Sequence, residues 1–91
     1  MRPAEAVSSA KRGIAELFVG ESIQNLGLEE IEYSDDERVW HITLGFSRPW
    51  DDRRGLSNLL GADALANRHY RVVKVRDEDG AIISVKLREL N

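Results

Sequence analysis

Residues 71–89 read RVVKVRDEDGAIISVKLRE, and this stretch decides the fold. Asp77-Glu78-Asp79-Gly80 has the composition of a type I turn followed by a glycine in the left-handed region. Aliphatic residues alternate with polar ones on both sides of it, which is the pattern of a hairpin with one buried face. That turn is expected to set Asp77 opposite Ala81, Val75 opposite Ile83 and Val73 opposite Val85. One face then carries Val73, Val75, Ile83, Val85 and Leu87. The other carries Tyr70, Lys74, Arg76, Ser84, Lys86 and Arg88. A sheet that is apolar on one side requires a second layer.

Upstream, a second hairpin is expected over residues 29–46. Glu29–Tyr33 and Val39–Phe46 flank Asp35-Asp36-Glu37-Arg38. Trp40, Ile42, Leu44 and Phe46 alternate with Val39, His41, Thr43 and Gly45, so one face of that strand is large and apolar. The loop length pairs Ser34 with Val39, Tyr33 with Trp40 and Ile31 with Ile42, apolar against apolar.

The covering layer is expected from residues 3–19, where Val7, Ala10, Ile14, Leu17 and Phe18 form one stripe at helical period. Pro3 suits a first helical turn, and Gly20 stands where a left-handed residue would end the helix. Gly13 in mid-helix costs ~1 kcal/mol against alanine, which close approach to the sheet would offset. The predicted fold is α+β: an N-terminal helix packed on one face of a four-stranded antiparallel sheet built from two hairpins. The second hairpin is bounded at 69–89. A long connection, residues 47–67, separates the hairpins and is expected to be partly helical, because Leu56, Leu59, Leu60 and Leu65 recur among alanines. Connections usually run ~4–6 residues, so this one invites a functional explanation.

At 91 residues the chain is read as a single domain, residues 1–91. It has no cysteine, which excludes disulfides, thiolate metal sites and thiol nucleophiles. The first residues lack the apolar run of a signal peptide, and no stretch has the ~18 apolar residues of a membrane span. A cytoplasmic protein without membrane contact is expected. Net charge is −3 but unevenly spread. Residues 21–47 hold seven acids against Arg38, a net −6, whereas residues 68–91 hold six bases against four acids, a net +2.

The search for catalytic chemistry is negative, and no enzyme is expected. His41 and His69 have no metal-ligand spacing, no serine lies in a Gly-x-Ser-x-Gly elbow, and neither acidic turn matches a calcium loop. No cofactor and no metal are expected. Asp51-Asp52 adjoin Arg53-Arg54, and such neighbours neutralise one another in a hydrated loop. The candidate binding residues are Arg48, Trp50, Arg53 and Arg54, because tryptophan and arginine carry much of the energy at protein interfaces. The competing reading is that Trp50 covers an end of the sheet. A second candidate surface is the basic hairpin face, Tyr70, Lys74, Arg76, Lys86 and Arg88, with Glu30 and Glu32 on the same face as its neutralising partners.

The order helix, strand, acidic turn, strand, followed by Tyr70, Val72, Val75, Asp77, Gly80, Ile82, Ile83 and Val85, resembles the PepSY domain pattern. The resemblance spans the chain except residues 48–67. It implies the helix-plus-hairpins topology and a protein partner, since PepSY domains are associated with inhibiting or chaperoning peptidases. The expected function is a non-enzymatic protein-interaction module of accessory, immunity or inhibitor type, acting as a monomer or weak homodimer. The alternatives are a nucleic-acid-associated protein using the basic face, and a small-ligand domain with a pocket under the long connection.

Overall fold

The computed structural model describes residues 1–48 and 68–88. The elements are α1 (Pro3–Leu17), a short 3-10 turn (Val19–Glu21), β1 (Gln24–Ser34), β2 (Val39–Ser47), β3 (His69–Arg76) and β4 (Ile82–Leu87). The four strands form one antiparallel sheet in the order β1-β2-β3-β4, and α1 lies across one face. This is the expected α+β arrangement. The two hairpins meet along β2 and β3, with Ile42 opposite Val73 and Trp40 opposite Val75. Trp50, Arg53, Arg54 and the helical turns expected between the hairpins lie outside the described residues.

On the side facing α1 burial follows the alternation of the strands, whereas β2 is buried on both faces, Val39, Thr43 and Gly45 lying on the side opposite the helix. Ile42, Leu44, Phe46, Val73 and Val75 are fully buried beneath Ala6, Ala10 and Ile14 of α1. Small residues on the helix let it sit close to the sheet. A Cβ on Gly13 would lie 2.9 Å from Cγ1 of Ile82, which is the close approach its position predicted. Pro3 stands in the first turn, and the Arg2 backbone N–H donates to Glu5 Oε1 at 2.7 Å.

The helix end departs from expectation. α1 stops at Leu17, which is 63% exposed, and Gly20 falls inside the 3-10 turn; the left-handed residue is Ser22, at φ 50°. The 3-10 turn lets Phe18 fold under the helix and meet Phe46, with ring centroids 5.3 Å apart. Aromatic packing therefore terminates the helix, and the chain reverses only afterwards.

In the first hairpin Ser34, Tyr33 and Ile31 pair with Val39, Trp40 and Ile42, as the loop length requires. β1 begins at Gln24, earlier than the expected Glu29, and two irregularities between Gln24 and Glu30 shift its register along β2. In the second hairpin the register near the turn differs from expectation. Arg76 and Ala81 close the turn, with Arg76 N–H donating to Ala81 O at 2.9 Å, so Val75 pairs with Ile82 and not with Ile83. A bulge at Ile83 then restores the expected pairing of Val73 with Val85. Its consequence is a change of face: Ile82 packs against the core and Ile83 is 48% exposed. Gly80 does take positive φ, 75°.

Candidate functional site

The face of the sheet opposite α1 is built by the alternate residues of all four strands. β3 contributes Tyr70, Val72, Lys74 and Arg76, which oppose Gly45, Thr43, His41 and Val39 of β2. β4 contributes Ser84 and Lys86, opposite Lys74 and Val72. β1 contributes Glu30 and Glu32, opposite Thr43 and His41. The face thus carries acids at its β1 side and bases at its β3–β4 side.

Some of these charges are engaged with one another. Lys74 Nζ lies 3.6 Å from Glu37 Oε1, which is also 3.5 Å from His41 Nε2. Arg76 Nε donates to Asp79 Oδ1 at 3.1 Å. Arg68 reaches across β2, donating to the Asn25 carbonyl at 3.0 Å and pairing with Glu29 at 3.5 Å. Gly45 makes that crossing possible, because a Cβ there would stand 2.8 Å from Arg68 Nη2 and 3.0 Å from the Tyr70 ring. The acids that answer the basic face are therefore Glu37, Asp79 and Glu29. Glu30 and Glu32, expected in that role, form no ion pair among the described residues.

Two basic residues on β4 and just beyond it remain. Lys86 is exposed and forms no ion pair among the described residues. The Arg88 guanidinium lies 4.3 Å from the centroid of the Tyr70 ring. Such a cation–π contact contributes ~0.5–1 kcal/mol at an exposed site and holds the guanidinium in one place with donors left for a partner. Tyr70, Lys86 and Arg88 make a basic patch at one edge of the face opposite α1, here called the open face although its β2 residues Val39, Thr43 and Gly45 are buried.

No family model, curated protein or solved structure matches the chain.

Arg48, at the end of β2, is turned inward. Its side chain is mostly buried, donates to Glu21 Oε1 at 2.7 Å and lies 3.3 Å from both ring nitrogens of His69. Arg71 sits close by on the helix side of the sheet, 5.6 Å and 5.7 Å from the Phe18 and Phe46 centroids. Burial, and then the charge of Arg48, hold the Arg71 pKa below its ordinary value, with Glu21 opposing them. These groups fasten the 3-10 turn to β2 and β3. At the opposite end, Asp77 Oδ1 accepts the Trp40 indole N–H at 2.9 Å and lies 3.3 Å from the Met1 amino group. The Asp77 backbone N–H donates to the Arg38 carbonyl, joining the two turns. The sequence holds no local signal for this clamp, because Trp40 and Asp77 are brought together only when β2 pairs with β3.

Among the described residues no cluster of three His, Cys, Asp or Glu side chains could hold a metal ion, and no helix is long and apolar enough to cross a membrane.

Proposed function

We propose that this protein is a non-enzymatic protein-interaction module whose contact surface is the basic edge of the open sheet face, and that it binds an acidic protein surface. The carrying observation is the Tyr70–Arg88 stack beside Lys86, a preordered aromatic–arginine pair next to a cation with no ion pair among the described residues. Aromatic and arginine side chains give wide contact area and several donors for little ordering cost. Charged patches of one sign also steer a partner of the other sign.

Two further observations support the reading. A groove of about 590 Å³ between α1 and the second turn is lined by Ser8, Ser9, Glu5, Asp77 and Asp79, with no histidine to act as base. His41 and His69 lie elsewhere, beside Glu37 and Arg48. A nucleic-acid role is less well supported, because Lys74, Arg76 and Arg68 are already paired with carboxylates. A protein partner also agrees with the PepSY-like pattern, and a cytoplasmic setting with the cysteine-free composition.

The test uses two polyanion probes, poly-glutamate and single-stranded DNA, titrated against salt. Binding of poly-glutamate that is lost in Lys86→Glu/Arg88→Glu, with weak DNA binding, is the expected result. Tighter DNA binding, with log K falling steeply against log salt by ~0.7 per phosphate contact, would transfer the assignment to nucleic acid. Poly-glutamate binding that survives the double substitution would remove the patch.

A further inference from the structure

The sheet ends in two edges of opposite charge. β1 lies at one end of the strand order and β4 at the other. The regular part of β1, Glu30–Ser34, presents Glu30 and Glu32 on the open face and Ile31 and Tyr33 on the helix side. The regular part of β4, Ser84–Leu87, presents Lys86 on the open face, followed in sequence by Arg88, with Val85 and Leu87 on the helix side. Tyr33 is 38% exposed and Leu87 is 69% exposed. Each edge therefore carries one charged row and one apolar row, and the charged rows are of opposite sign.

Direction agrees with this complementarity. All neighbouring strands are antiparallel, so β1 and β4 of one molecule run in opposite senses. A second copy placed in line with the first, helix on the same side, sets its β4 antiparallel to the first copy's β1. Glu30 and Glu32 then face Arg88 and Lys86, and Ile31 and Tyr33 face Leu87 and Val85, respectively. Cross-strand opposite charges and aromatic–aliphatic neighbours both favour such a ladder. The two-fold alternatives are disfavoured on the same grounds: β1 on β1 opposes glutamates to glutamates, and β4 on β4 opposes Lys86 and Arg88 to themselves.

We propose that the acidic surface bound by the basic edge is the β1 edge of a second copy of this chain, joined by antiparallel strand addition. The inference rests on the basic edge being a protein-binding surface, and it names the partner. The contact is head-to-tail, so it does not close on itself by symmetry. The bulges at Ile83 and between Leu28 and Glu30 confine the ladder to a few residues on each edge. Association is accordingly weak, reversible and salt-sensitive.

Edge-specific charge reversal tests this by sedimentation velocity. Wild type should gain mean mass with concentration and lose it as salt rises and the Debye length falls from ~10 Å at 0.1 M to ~3 Å at 1 M. Glu30→Lys/Glu32→Lys has two basic edges and Lys86→Glu/Arg88→Glu has two acidic edges, so each alone should be monomeric. Their equimolar mixture should recover concentration-dependent association, because the basic edges of one variant meet the acidic edges of the other, and a mixture that stays monomeric overturns the proposal. A wild type that stays monomeric at every concentration, or a variant that self-associates as before, overturns the proposal. If either variant proves unfolded by circular dichroism, the salt series on wild type decides: association that strengthens with salt overturns it. Monomeric wild type that still binds poly-glutamate through Lys86 and Arg88 rejects self-pairing alone. Loss of both rejects the basic edge as well.

Discussion

Gly80 and Asp77 show how single residues hold the second turn. Gly80 sits at φ 75°, and a Cβ there would lie 2.9 Å from Met1 Cε and 3.1 Å from Ser9 Oγ. Left-handed backbone costs an L-residue roughly 1–2 kcal/mol, and the crowding adds to it. Gly80→Ala should lower the thermal midpoint more than a surface change such as Glu78→Ala; equal midpoints would contradict the strain. The Asp77 carboxyl is held below its ordinary pKa, first by the Trp40 indole N–H and further by the Met1 amino group and Arg38, against partial desolvation. Asp79 is lowered as well, first by the Ala81 backbone N–H and then by Arg76. A depressed folded pKa means that both groups stabilise the fold above the unfolded value of ~3.9 and lose that contribution as pH falls through the folded value. The midpoint should therefore drop in acid below about pH 4, and Asp77→Asn should flatten that limb while keeping an oxygen for Trp40. An unchanged acid limb in Asp77→Asn would assign the drop to other carboxylates. The glycine was legible in the sequence, because an Asp-Gly turn names its own conformation. The clamp was not, since it joins residues on different hairpins.

At the level of elements, periodicity marks the strands and the helix, and local irregularities displace their registers and ends. The alternation over 71–87 marks two strands, yet a bulge at Ile83 moves the residues nearest the turn by one position. Alternation cannot distinguish Ile82 from Ile83, because both are isoleucine and either could take the inward place. The packing of Ile82 against Gly13 decides between them. Ile82→Ala should consequently cost about 1–3 kcal/mol, below the usual 2–5 for a fully buried position, whereas Ile83→Ala should change stability by less than about 0.5 kcal/mol. Chemical denaturation of the two variants measures this, and a larger loss at Ile83 would restore the unbulged register. The end of α1 departs from its expected place for a related reason. Gly20 invited a left-handed cap, but the contact between Phe18 and Phe46 draws the chain into a 3-10 turn first.

Across the whole molecule, α1 and all four strands share one core, in which Ala6, Ala10, Ile14, Ile42, Leu44, Phe46, Val73 and Val75 are fully buried. Since Ile42 touches both hairpins through its pairing with Ile31 and Val73, Ile42→Ala should destabilise helix and sheet together by about 2–5 kcal/mol. Coincident transitions by far-ultraviolet circular dichroism and by Trp40 fluorescence, read in a Trp50→Phe background, would bear this out, and separated ones would show that the helix and sheet unfold independently. By itself the sequence determined the α+β class, the antiparallel hairpins, the pairings next to the first turn and the placing of bases on one strand face. Those properties depend on local period and turn chemistry, which neighbouring residues carry. Tertiary structure alone decided that β2 pairs with β3, which acids meet which bases, and that Trp40 is tied to Asp77. It also decided that Glu30 and Glu32 stand at one edge of the sheet while Lys86 and Arg88 stand at the other. These relations join residues far apart in the chain, and only burial of the two apolar hairpin faces beneath one helix brings them together.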